Sequence, residues 1–247
     1  MARLVYFLYC WLVFVPLMAL ATLTFGLLCA LLIPFLPAGQ VASLTAVPWS
    51  RLGLLLSGVH TQYFGREHLQ PGQSYVIVAN HLSQFDIWVL YGYLGVDFRW
   101  VMKHQLRKVP VIGICCDWLG HIFINREDPE QAIASLNEAR TRLVDGTSVL
   151  FFPEGTRSRD GQLKAFKKGA FKMAQDLQLP VLPVTITGTR DILPAGSLSL
   201  HPGTVTVTLH PALPVTGHTD AELQALREQS HALIATPLSS GCPQALV

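Results

Sequence analysis

The rhythm of apolar and polar residues changes near residue 60. Residues 4–36 form an apolar run without a charged side chain, interrupted by Pro16 and Pro34. As a helix the run would extend about 50 Å, at roughly 1.5 Å per residue. One membrane span takes about 20 residues and two take about 40, so the run predicts one tilted helix, or a helix kinked at Pro16 that enters and returns. A less apolar segment, 41–59, carries Trp49 and Arg51, residue types that settle at the headgroup level. From Arg66 onward short apolar runs alternate with helical patterns. Runs at 75–79, 98–102, 122–125, 148–152, 181–187 and 205–209 read as strands. One helix opens at Asp128 as N-cap, with Pro129 first and Gln131 third in the helix, a buried face of Ala132, Ile133, Leu136, Ala139 and Leu143, and Gly146 at its end. Further helices are predicted over 166–177 and 219–234, the second opened by the capping box Thr219-x-x-Glu222. The alternation predicts an α/β fold, a mostly parallel sheet flanked by helices, behind an N-terminal membrane-embedded helical segment. The expected division is 1–60 for that segment, 61–215 for the α/β domain and 216–247 for a C-terminal helix and tail, with 194–203 a loop and 238–247 frayed.

Composition sharpens the membrane reading. Half of the 247 residues are hydrophobic and 14% are charged, against about a quarter in ordinary soluble domains. No charged residue lies between Arg3 and Arg51. A cleaved signal peptide is disfavoured, because the apolar stretch is too long and no Ala-x-Ala site follows it. A net charge of +2 and the lack of a basic run interleaved with aromatics argue against nucleic acid as a partner. Five cysteines without framework spacing suggest free thiols in a reducing compartment. Cys115, Cys116 and His121 invite a metal site, but adjacent cysteines diverge and no second ligand pair follows, so no metal is expected.

Candidate chemistry begins at Asn80-His81-Leu82-Ser83-Gln84-Phe85-Asp86, directly after a buried strand, where α/β proteins place their sites. His81 and Asp86 can form a base and its orienting carboxylate, able to take a proton from a hydroxyl. Asp86 also suits the third position of a helix capped by Ser83, and the two roles are compatible. Five residues of helix turn about 500°, so the pair meets only if His81 lies in the turn before the cap. Three more blocks follow in order. Gly120-His121-Ile122-Phe123-Ile124-Asn125-Arg126 ends a strand on an arginine, either a surface group paired with Glu127 or Asp128, or a planar fork for phosphate. Phe152-Pro153-Glu154-Gly155-Thr156-Arg157-Ser158 leaves a strand, and Glu154 with Arg157 could be only a loop ion pair. Leu179-Pro180-Val181-Leu182-Pro183-Val184 opens the fifth strand. Lys103 ends a strand as a further candidate near a substrate. Lys164, Lys167 and Lys168 form either a solvated basic face or an attraction for a phosphopantetheine carrier or anionic headgroups.

Four blocks in this order and at these spacings, over residues 70–190, resemble the glycerolipid acyltransferases, specifically the bacterial 1-acylglycerol-3-phosphate acyltransferases. The resemblance implies catalysis by His81 and Asp86, and contacts to glycerol phosphate from Arg126, Glu154, Gly155 and Arg157, with Lys103 nearby. Leu182 and Pro183 would shape an acyl-chain groove. Absence of a Gly-x-Ser-x-Gly elbow favours direct transfer over a covalent route. The implied reaction moves an acyl chain from acyl carrier protein or coenzyme A to the sn-2 hydroxyl of lysophosphatidic acid, giving phosphatidic acid with no cofactor. The implied place is the inner (cytoplasmic) membrane, with the site facing the cytoplasm. A different lysophospholipid acceptor, a lipid hydrolase and an inactive scaffold are the other readings. The uncharged run 4–36 should keep the chain in bilayers through high-salt washing, which strips electrostatically bound proteins. Release of the protein into the salt wash would contradict membrane insertion.

Overall fold

Val76–Ala79 is buried at every position, and this strand is the centre of the sheet. A run of β-branched and small apolar side chains suits a strand covered on both faces. The computed structural model describes residues 2–125, 128, 130–131, 134–136, 143 and 146–240. Among the described residues seven strands, β1 (Val59–Phe64), β2 (Val76–Ala79), β3 (Phe98–Lys103), β4 (Ile122–Ile124), β5 (Ser148–Phe151), β6 (Val181–Thr187) and β7 (Gly203–Leu209), lie in the order β1-β7-β6-β2-β5-β3-β4. All neighbours are parallel except β6 and β7. The six predicted strands are present within two residues of their expected ends. β1 was not predicted: only alternate residues of this edge strand are fully or partly buried, and it begins before the boundary at 60/61.

The alternation of side chains divides the core into two layers. Tyr75, Ile77, Ala79, Trp100, Leu150 and Leu182 face one way and meet the helix Phe85–Tyr93 together with Cys10, Phe14, Met18 and Leu54 of the N-terminal helices. Val76, Val78, Val101, Val149 and Val181 face the other way, against the helices Gly169–Leu177 and Asp220–Ser240. The capping box forms as the spacing predicts, with Thr219 N–H donating to Glu222 Oε2 at 2.9 Å and Glu222 N–H to Thr219 Oγ1 at 3.3 Å. The helix it opens runs through Pro237 to Ser240, so 238–240 are helical rather than frayed, and 241–247 lie outside the described residues. Asp128 accepts the Gln131 N–H at 3.0 Å, as an N-cap should, and Leu143 is buried; Ala132, Ile133 and Ala139 lie outside the described residues.

The N-terminal run is helical from Ala2 to Leu32, through a π-helical turn at Cys10–Phe14. That wider turn falls just before Pro16, whose ring would otherwise collide with the carbonyl of Leu12. The chain reverses at Pro34 and Pro37 rather than at Pro16, and returns as Ala38–Leu44 and Ala46–Leu56. Leu4–Leu32, with mean hydropathy 2.3, is long and apolar enough to cross a membrane. Tyr6 and Tyr9 donate to the carbonyls of Ser57 and Leu56, both at 2.8 Å, and Trp49 Nε1 donates to Thr22 at 3.0 Å. One side of the run is thereby fixed on the domain while leucines such as Leu20 and Leu27 remain more than 60% exposed.

Past the end of β2, Asn80 extends the sheet with its side chain: Nδ2 donates to Ile186 O at 2.8 Å, and Ile186 N–H donates to Asn80 Oδ1 at 2.7 Å. Asn80→Ala would leave both buried groups of Ile186 unpaired. The expected loss is about 2–4 kcal/mol of stability, at roughly 1–2 kcal/mol per orphaned group. Urea unfolding in detergent measures it, and an unchanged midpoint would refute the role.

Candidate active site

β2 to β6 include every strand that carries a candidate block, and all of them point the same way. Their carboxyl ends form one edge, which is where open α/β sheets bind ligands. His81 lies immediately beyond β2. Its backbone is held twice: His81 N–H donates to Glu154 Oε1 at 2.7 Å, and Ser158 N–H donates to His81 O at 2.8 Å. The first and third blocks are therefore tied together through main chain.

The imidazole is oriented by Asp86. Asp86 is fully buried, and its Oδ2 accepts from His81 Nδ1 at 2.8 Å, Leu82 N–H at 2.7 Å and Ser83 N–H at 2.8 Å. Its Oδ1 accepts from Thr189 Oγ1 at 2.5 Å. Because this carboxylate is surrounded by donors, Nδ1 of His81 carries the proton, and the Nε2 lone pair is left free of any described residue. The His81 side chain is 16% exposed. Its ring stacks on Phe152 with centroids 3.9 Å apart and planes at 8°. The cap differs from the expected one: the helix begins at Phe85 with Gln84 at its N-cap, so Asp86 is its second residue, while Ser83 Oγ accepts the Phe85 N–H at 3.2 Å and Asp86 reaches back to the Ser83 N–H. Ser83 Oγ itself donates to Leu193 O at 2.7 Å, so this hydroxyl is already engaged. The site thus offers an oriented imidazole beside a serine whose hydroxyl is engaged elsewhere.

The family model described as Acyltransferase matches residues 60–187, which include all four blocks. The chain belongs to the acyltransferase family. It is 41% identical over 166 residues to a 1-acyl-sn-glycerol-3-phosphate acyltransferase of Chlamydomonas reinhardtii, a match covering 66% of this chain and 50% of that one. A protein of the same name from Borreliella burgdorferi is 30% identical over 165 residues, covering 67% of this chain and 66% of that one. The chain thus spans about half the length of the algal relative. Among solved structures it is similar to the 1-acyl-sn-glycerophosphate acyltransferase PlsC of Thermotoga maritima, with a TM-score of 0.71 and 25% identity over 90% of this chain and 95% of that one.

The remaining candidates of this chain take different places. Glu154 is turned inward, with Oε1 on His81 N–H and Oε2 on Lys164 N–H at 3.0 Å. Burial raises its pKa, and the two N–H donors oppose that shift. In this structure Glu154 positions the histidine loop rather than reaching outward. Gly155 has φ +78°, and a Cβ there would lie 3.0 Å from Lys167 Nζ, so the glycine admits both the turn and the lysine above it. Arg157 is half-exposed, and Lys164 Nζ donates to its carbonyl at 3.0 Å. Lys103 ends β3 exposed; the register through Trp100, Leu150 and Ile77 sets it level with Asn80, two strands away. At about 4.8 Å per strand that is roughly 10 Å from the β2 exit. Arg126 lies outside the described residues, beyond Ile124, which pairs with Lys103. Leu182 and Pro183 lie inside β6, in register with Ile77 and Val78 and buried, so they fill the core and line no open surface. His121 accepts Trp100 N–H at Nδ1 (3.2 Å) and bonds Tyr91 Oη through Nε2. Burial, aided by the charge of Arg99, pushes its pKa down to about 3. With both nitrogens engaged inside the fold, His121 has none to offer an ion.

Thr189 escaped the sequence reading. It opens the short helix Thr189–Ile192 after β6, more than 100 positions from Asp86, and no local pattern marks it. Thr189→Val keeps the shape and removes the donor. A hydrogen bond to a charged group is worth about 1.5–3 kcal/mol, so turnover should fall about 10- to 100-fold with KM little changed, and Thr189→Ser should restore it. Normal turnover in the valine variant would show that Thr189 only packs.

Proposed function

We propose that this acyltransferase moves an acyl chain from an acyl carrier protein or coenzyme A thioester to the sn-2 hydroxyl of 1-acyl-sn-glycerol 3-phosphate, giving phosphatidic acid. The observation that carries the reading is the His81–Asp86 contact: Nδ1 lies 2.8 Å from buried Asp86, which leaves Nε2 as the free base at the carboxyl edge of the sheet. The relatives' names supply the acceptor.

Nε2 takes the acceptor's hydroxyl proton as its oxygen attacks the thioester carbonyl carbon. A C–O bond forms, the tetrahedral intermediate collapses with cleavage of the C–S bond, and the imidazolium returns the proton to the departing thiolate. Asp86 stabilises the imidazolium without accepting its proton, as in a triad. Direct transfer is favoured because Ser83 Oγ is committed to Leu193 O. Lys103, Arg126 and Arg157 supply cations for the phosphate, arginine by its bidentate fork. Thioester donors are cytoplasmic, so the site faces the cytoplasm from the inner membrane, held there by the apolar N-terminal helix.

Purified protein tested on a panel of lysolipids with both thioesters should prefer lysophosphatidic acid. His81→Ala should lower turnover about 10²- to 10⁴-fold, the usual share of a general base. Thioester alone should release no stoichiometric thiol and acylate neither Ser83 nor Cys116. Preference for another head group would reassign the acceptor, and near-normal turnover of the alanine variant would overturn the base.

A further inference from the structure

Between β3 and β4 lies a segment that the reaction above does not use. It comprises a 3₁₀ turn, His104–Lys108, and a short helix, Ile112–Trp118. Five of its large apolar side chains face outward: Leu106 at 39% exposure, Val109 and Ile112 at 37%, Ile114 at 50% and Trp118 at 40%. Soluble surfaces seldom gather so much apolar area in so short a stretch. Arg107 and Lys108 lie among these side chains. The only acidic residue of the segment, Asp117, is paired with Arg107 at 2.6 Å, so the remaining cationic side chain is Lys108.

Its placement is fixed by the N-terminal helix. Val111 has φ +62° and ψ −58°, and Ile112 N–H donates to Pro110 O at 2.7 Å. This is a γ-turn of the strained hand, centred on a β-branched residue. Such strain persists where neighbours over-determine it. Here the neighbour is Gly26, where a Cβ would lie 2.2 Å from Val111 Cγ1, and Cys115 Sγ is 4.0 Å from Gly26 O. The helix carrying Gly26 exposes Leu20, Leu23, Leu27 and Leu31. The two apolar surfaces thus belong to elements that touch.

We infer that residues 104–118 form a second membrane-contacting element, which lies in the headgroup region of an anionic bilayer beside the apolar N-terminal helix. The apolar side chains enter the acyl boundary, and Lys108 meets anionic phosphates. Trp118 has the amphipathic ring favoured at that depth. The element starts directly after Lys103, so it seats the carboxyl edge of the sheet against the leaflet. This last point rests on the function proposed above.

The test uses the full chain in vesicles of phosphatidylethanolamine and phosphatidylglycerol with brominated acyl chains. Subtracting the fluorescence of Trp118→Phe isolates Trp118 from the other tryptophans. The expected Trp118 emission is quenched by the brominated chains and protected from aqueous iodide. The double variant Val109→Glu, Ile114→Glu should lose about tenfold of turnover on vesicles and less than about twofold on a monomeric short-chain acceptor. Iodide quenching of Trp118 without bromolipid quenching would overturn the inference. So would a concentration-dependent dimer in detergent that the double variant abolishes, because the patch would then be a protein interface. If the double variant misfolds, the quenching result decides alone. If the wild type acylates no lysolipid, the proposed function fails while the depth of Trp118 is still measured.

Discussion

A carboxylate with no exposed surface is tolerable only when donors surround it, and Asp86 is such a group. Its four partners come from separate parts of the chain: the loop after β2 supplies His81, Leu82 and Ser83, and the helix after β6 supplies Thr189. Meeting that requirement fixes the loop, the first turn of Phe85–Tyr93 and the exit of β6 together. The orientation of His81 follows from it. Glu154 does for the histidine's backbone what Asp86 does for its ring, binding His81 N–H on one oxygen and Lys164 N–H on the other.

Sheet polarity sets the scale of the site. Since β2, β3, β4, β5 and β6 run in one direction, the residues that follow β2, β4 and β5 leave the sheet at the same edge, whereas the fourth block lies within β6. Lateral distance between blocks is then counted in strands, about 4.8 Å each. His81 above β2 and Lys103 at the end of β3 are about two strands apart. Antiparallel β7 lies outside this group and carries none of the candidate residues.

The N-terminal helices are part of the body that holds the site. Cys10, Phe14 and Met18 share a core with Ile77, Trp100 and Leu150, while the opposite side of the same helix exposes its leucines. One helix thus has an apolar inner face against the sheet and an apolar outer face free for lipid. That explains its lack of a polar stripe, which a surface helix of a soluble domain would need. The helix that packs against the sheet is thus also the one that offers the outward apolar face.

The local pattern of residues was sufficient to determine six strands, their packing between helices, the apolar N-terminal segment and the His81–Asp86 pair. Each depends on periodicity, on a cap or on two residues five positions apart, and such relations survive in a one-dimensional string. The cap itself shifted by one residue, to Gln84, although Asp86 still reaches back to the Ser83 N–H. The edge strand β1 escaped because half-burial leaves a weak alternation. The reversal at Pro34 and Pro37 rather than Pro16 depended on a π-helical turn that absorbs the proline. Only the tertiary structure could turn Glu154 inward, bury Leu182 and Pro183 in the core and bring Thr189 to Asp86. These outcomes depend on strand order and on which buried polar groups find partners, and such partners lie scores of residues apart with no local signal to announce them.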